Sequence, residues 1–120
     1  MARDLNRTIL IGNLVKDPEA GFTPNGSPLT NFTIASNDEW GTGDQKQEHV
    51  SYFDIVAWGK VGEVVAKYCK KGSKVSIEAK LKQERWQNSD GKTWSRIVIT
   101  AETVQFLTPK KDDFENNIPV

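Results

Sequence analysis

Val75, Ile77, Ala79 and Leu81 take alternate positions, and the residues between and around them are Lys74, Ser76, Glu78, Lys80 and Lys82. That period of two demands an extended strand with one dry face and one wet face, because successive strand side chains point to opposite sides. Beyond "NSDGK" the alternation resumes, with Ile97, Ile99 and Ala101 set against Arg96 and Thr100. Two such runs around an Asp-Gly turn read as a β-hairpin. Its wet parity also carries Trp86 and Trp94. Two indoles on a basic solvent face call for a partner.

The remaining segments read as short elements of the same kind. "RTILIGNLVKDP" is a strand from about residue 5 to 15, stopped by Asp17-Pro18. Asn25-Gly26 is a strong hairpin signal and leads into the strand "LTNFTIAS". Residues 37–48, "NDEWGTGDQKQE", read as a polar, mobile loop, and "HVSYFDIVAW" as a third strand. In "KVGEVVAKYCKKG", Val61, Val64, Val65 and Tyr68 fall at helical spacing and define a core face, with Gly72 as the stop. The hairpin supplies strands four and five, the last reaching about Leu107. The expectation is an all-β domain with one short helix over residues 1–108, followed by a disordered tail, 109–120. Five strands with a helix between the third and fourth is the order of the five-stranded OB-fold barrel, and other small barrels share it.

Charge sharpens the question of the partner. The 120 residues sum to zero net charge. Residues 60–96, however, hold ten Lys/Arg and four Asp/Glu, a net of +6, against −4 over 1–59 and −2 over 97–120. A segregated basic segment is an electrostatic footprint whatever the total. Within reach of it are five exposed aromatic candidates: Trp40, Tyr52, Trp58, Trp86 and Trp94. Tyr52 and Trp58 share the parity of Asp54, while Phe53, Ile55 and Ala57 take the dry face. An unpaired base has a π-face whatever its identity, and stacking it on an aromatic is worth about 1–3 kcal/mol. Arg3, Arg7, Lys60, Lys71, Lys74, Lys82, Arg85 and Arg96 are the candidate phosphate contacts. Rings interleaved with cations specify a groove for single strands, since bases in a duplex are already stacked on each other.

Other chemistries lack their residues. His49 has no nucleophile placed near it by any motif, and Asp54, Glu63 and Glu78 are isolated acids without ligand spacing, so neither catalysis, a metal nor a cofactor is expected. Cys69 is single and reads as a small hydrophobe on the helix, which suits a reducing, cytoplasmic setting. No apolar run approaches the roughly 18–20 residues that span a bilayer.

"NRTILIGNLVKDPEAGFTPNGSPLTNFTIAS" and "AWGKVGEVVAKYCKKGSKVSIEAKLKQERW", with the terminal "IPV", resemble the bacterial single-stranded DNA-binding protein family over about residues 4–107. The resemblance implies an OB-fold, a homotetramer, and sequence-independent binding of single-stranded DNA at the nucleoid in replication, recombination and repair. It puts the family's stacking positions on Trp40, Tyr52, Trp58 and Trp86, with Tyr52 and Trp58 differing in ring type from the commonest versions. Glu84 interrupts a run that is often more basic.

The tail, "PKKDDFENNIPV", departs further. The family's long linker is nearly absent, and Val120 stands where an aromatic residue ends the usual Ile-Pro-Phe tip. Asp112, Asp113, Glu115, Ile118, Pro119 and Val120 are the expected docking element for replication, recombination and repair proteins. Two other readings remain: a primosome-type or RNA-binding OB module, and an interaction protein whose tryptophans face a protein partner.

Overall fold

The computed structural model of the protein describes residues 3–107. Six strands, β1 (Thr8–Leu14), β2 (Glu19–Phe22), β3 (Pro28–Trp40), β4 (Gln47–Trp58), β5 (Lys74–Gln87) and β6 (Thr93–Phe106), accompany one helix, α1 (Gly59–Tyr68). Five of them close a barrel in the order β1-β5-β6-β4-β3, sealed by a short β1–β3 ladder at Asn13↔Ala35 and Leu14↔Ile34. β2 prolongs the wall beyond β1, pairing with the first residues of β3 from Glu19↔Asn31 to Phe22↔Pro28. With α1 between β4 and β5, this is the OB-fold.

The dry parities converge as the alternation requires. Phe32 and Ile34 from β3, Ile55 and Ala57 from β4, Val75, Ile77 and Ala79 from β5, and Ala101 from β6 are buried together. α1 closes one end of the barrel. Its first turn touches the wall at Gly62, where a Cβ would lie 2.5 Å from the Ala57 carbonyl oxygen. Buried Thr30 donates its hydroxyl to the Gly62 carbonyl at 2.9 Å, so the only buried polar side chain among the described residues is satisfied.

Several expectations are corrected. Residues 37–48 are not a loop: β3 runs to Trp40 and β4 starts at Gln47, in unbroken register from Leu29↔Trp58 to Trp40↔Gln47. Only a tight turn with one 3-10 turn at Gly43–Gln45 separates them. Polar composition suggested a loop, but backbone pairing carries a two-sided polar ribbon out past the barrel. β2 was missed because "EAGF" is four exposed residues with no alternation, and its place is fixed by the hairpin at Asn25-Gly26. Gly26 supplies the turn's positive φ of 89°.

The helix ends at Tyr68, short of the stop expected at Gly72, and its core face is narrower than the spacing implies. Tyr68 is 50% exposed, not in the core, and its ring leans on Phe106 with centroids 6.1 Å apart. The barrel mouth is filled by Val65, and the buried residue beyond the helix is Cys69, whose N–H bonds the Val65 carbonyl. Burial pushes the Cys69 thiol above its usual pKa, as befits a packing residue. Gly72, at φ 93°, shapes the following turn into β5 and does not cap the helix.

Candidate nucleic-acid interface

The ladder of β5 with β6 runs from Val75↔Phe106 to Gln87↔Thr93 and outlasts the barrel, so its far end stands free. One irregularity interrupts it: Glu78 faces Thr103 and Ala79 faces Ala101, leaving Glu102 as a bulged extra residue. The bulge moves the inward parity of β6 from odd to even numbers, which is why Val104 joins Ile99 and Ala101 around the core. On the outward face the opposed pairs are Lys80↔Thr100, Lys82↔Val98, Glu84↔Arg96 and Trp86↔Trp94. The two indoles sit directly across from each other, 47% and 51% exposed, on the face the parity specified.

The outward face of β3 and β4 adjoins this one through a short parallel ladder, Ile55↔Ile99 to Ala57↔Ala101. A groove of about 580 Å³ runs across the junction, lined by Asn31, Thr33, Asp54, Val56 and Trp58 on one bank and by Lys82, Glu84, Arg96, Val98 and Thr100 on the other. Lys16 and Glu19 stand at its rim, joined at 3.6 Å. A second hollow, formed by Lys82, Arg85, Trp86 and Arg96 among others, continues it along the hairpin. Thr33 donates its hydroxyl to Asp54 at 2.7 Å. Arg96 donates from Nε to Glu84 Oε2 at 3.0 Å and ion-pairs with it through Nη2 at 2.9 Å. The same guanidinium carbon lies 5.9 Å from the Trp86 ring centroid.

Of the residues singled out from sequence, Trp58, Lys82, Arg85, Trp86 and Arg96 are thus brought to this groove or its extension, while Trp94 lines neither and stands across the ladder from Trp86. Tyr52 shares the outward parity of Trp58 and Asp54 and is exposed further out on β4. Trp40, by the same ladder, falls on the opposite side of the β3–β4 ribbon, the side that lower down carries Phe32 and Ile34. Arg7 lies between Thr8, which faces Ala79, and Asn6, whose amide both donates to and accepts from the Leu81 backbone (2.7 and 3.0 Å), so it adjoins Lys80. Arg3 precedes the first strand. Lys60 is exposed in the first turn of α1. Lys71 and Lys74 are at the other end of β5. The Lys71 N–H bonds Asp17 at 2.8 Å, and Lys74 faces Asn13. At about 3.3 Å per residue, Lys74 is roughly 40 Å of strand from Trp86. Asp112, Asp113, Glu115, Ile118, Pro119 and Val120 lie outside the described residues.

Sequence reasoning passed over Lys16, Asn31, Thr33, Val98 and Thr100. The signal for Asn31 and Thr33 was present, since both hold the wet parity of "LTNFTIAS". The +6 of residues 60–96 also does not gather in the groove. Its lining includes three cations (Lys16, Lys82, Arg96) and three carboxylates (Glu19, Asp54, Glu84), a formal balance of zero.

The described structure is thus a closed OB barrel with one open outward groove, lined by Trp58, Lys82 and Arg96 among others. Among the described residues no group of acids, histidines and cysteines could hold a metal ion, and no helix is long and apolar enough to cross a membrane. Residues 5–107 match the sequence profile of the Single-strand binding protein family, and the chain belongs to that family. It is 40% identical over 104 residues to a single-stranded DNA-binding protein of Treponema pallidum, covering 87% of this chain and 58% of that one. It is 40% identical over 112 residues to that of Helicobacter hepaticus, covering 92% and 66%. The chain therefore spans about three-fifths of the length of the curated relatives it matches. A solved structure described as a Plasmodium falciparum SSB complex with ssDNA superposes with a TM-score of 0.75 at 20% identity, over 90% of this chain and 99% of that one, a likeness of fold.

Proposed function

We infer that the protein binds single-stranded DNA without sequence preference and shields it during replication, recombination and repair in the cytoplasm, as a binder and not a catalyst. The observation that carries this reading is the groove itself: Trp58 stands on one bank and Lys82 and Arg96 on the other, with Trp86 beyond them. Stacking surfaces of that kind accept any base, while the cations meet the backbone. Tryptophan fluorescence should fall on titration with oligo(dT) and stay unchanged with a duplex of equal length. Quenching by RNA alone would favour an RNA-binding OB module, and no quenching by any nucleic acid would favour a protein interface. The acidic tail ending in Ile118-Pro119-Val120 would serve to recruit other genome-maintenance proteins.

The protein is further proposed to work as a homotetramer. β1 has apolar residues on both faces: Leu10 and Leu14 pack inward, whereas Ile9 and Ile11 on the outer face are 63% and 51% exposed. Two isoleucines on a strand surface, flanked by the still more exposed Leu5, are what a subunit contact would cover. Sedimentation at low micromolar concentration should give a mass well above the 13.5 kDa of one chain. A monomer mass would refute the assembly, and Ile9→Asp should dissociate it.

A further inference from the structure

We propose that Glu84 is a carboxylate latch on Arg96, and that single-stranded DNA enters the groove by exchanging a phosphate for that carboxylate. The inference rests on the DNA-binding reading and specifies how the groove's charges take part in it. Of the three cations in the lining, Arg96 is held by Glu84 through two nitrogens at 2.9 and 3.0 Å, and Lys16 is paired with Glu19 at 3.6 Å. Lys82 has no ion-pair partner among the described residues. Lys82 is therefore the one lining cation not already held by a carboxylate, and Asp54, bonded to the Thr33 hydroxyl, is the one lining carboxylate not held by a cation.

Glu84 and Arg96 are opposed residues on adjacent strands, so the ladder itself holds them together. Their side chains are about half exposed, 45% and 66%, and such pairs are weak in water. Both nitrogens meet the single oxygen Oε2, and a phosphate oxygen offers the guanidinium the same charge-assisted contact, so a bound strand competes with Glu84 for it. Opening the pair also changes the Trp86 surface, because the guanidinium that Glu84 holds is the one lying 5.9 Å from the indole centroid. One displacement thus turns a cation toward the backbone beside the indole that a base would meet.

Exchange leaves a particular mark on salt dependence. Each phosphate neutralised by a free cation releases a counterion, steepening the dependence of log K on log salt by about 0.7 for single strands. When a phosphate displaces Glu84, the released carboxylate gathers a counterion of its own, and the two cancel. Arg96 then adds affinity with almost no salt dependence, whereas Lys82 adds both.

The test is oligo(dT) binding across a tenfold range of salt by the full chain and by Lys82→Gln, Arg96→Gln, Glu84→Gln and the Glu84→Gln/Arg96→Gln double variant. All three sites are exposed, so circular dichroism should be unchanged. Lys82→Gln should make the slope shallower by about 0.7 and Glu84→Gln steeper by about 0.7, about a fivefold further loss of affinity per tenfold rise in salt. Arg96→Gln alone should leave the slope near that of the unaltered protein, and the double variant should return to it. Equal slopes for Glu84→Gln and the unaltered protein would overturn the latch while Lys82→Gln still marks the groove. So would an Arg96→Gln effect of the same size with and without Glu84, which is the signature of simple net charge. An unaltered protein that does not bind oligo(dT) would overturn the proposed function, and the latch with it.

Discussion

Replacing Trp58 and Trp86 together by alanine should weaken oligo(dT) binding by about 2–6 kcal/mol, the sum of two stacking surfaces at about 1–3 kcal/mol each. The two rings stand on different ribbons, β4 and β5, and Trp58 lines the main groove while Trp86 lines its continuation. Both hollows share Lys82, Glu84 and Arg96, so the two losses are coupled through those side chains, and the double variant is measured beside both single ones to read that coupling. Neither ring is in the core, and urea midpoints should move little. Single variants should each show part of the loss, and Trp94→Ala should resemble Trp86→Ala if the opposed indoles form one platform. Trp40→Ala, on the other side of its ribbon, should cost less than Trp58→Ala. Fluorescence titration with oligo(dT) measures all of these, and a double variant that binds as well as the unaltered protein would remove stacking from the mechanism.

How much of this was legible in the sequence depends on whether a signal is local. Parity located the wet face of β5 and β6, because alternation fixes a strand's faces without reference to any other strand. It also separated Asp54, Tyr52 and Trp58 from Phe53, Ile55 and Ala57. What it could not give was relations between strands. The opposition of Trp86 to Trp94, and of Glu84 to Arg96, follows from hairpin register. The nearness of Trp58 to Lys82 follows from barrel closure through Ile55↔Ile99. The bulge at Glu102 shifts parity within β6 and is invisible to a reading that assumes unbroken alternation. Charge failed in the same way. A net of +6 over residues 60–96 is a fact about the chain, but folding distributes it over both ends of β5 and brings Glu19 and Asp54 from other strands into the groove. Tyr68 was misplaced because helical spacing says which residues share a face, not how many of them the barrel mouth has room for.

The second large effect should be the reverse of the first. Phe32 is 2% exposed, packs in the core from β3, and also borders the groove floor beside Ile55. Truncating it to alanine removes a buried ring from a closed barrel whose walls are tied by ladders on every side and collapse poorly around a void. The expected cost is about 3–5 kcal/mol of stability. Domains of this size hold about 5–15 kcal/mol in all, so the variant should unfold at markedly lower urea and temperature. Its affinity should change little, provided binding is measured where the domain is still folded, because the groove's contacts come from the outward parity. Asn31 and Thr33 flank Phe32 on β3 and face the other way. Stability and affinity are then carried by alternate residues of one strand. Urea unfolding followed by circular dichroism, with oligo(dT) titration of the same variant in the cold, separates the two. A Phe32→Ala protein that unfolds at the normal midpoint but loses binding would show that the groove floor, not the core, is what this ring supports.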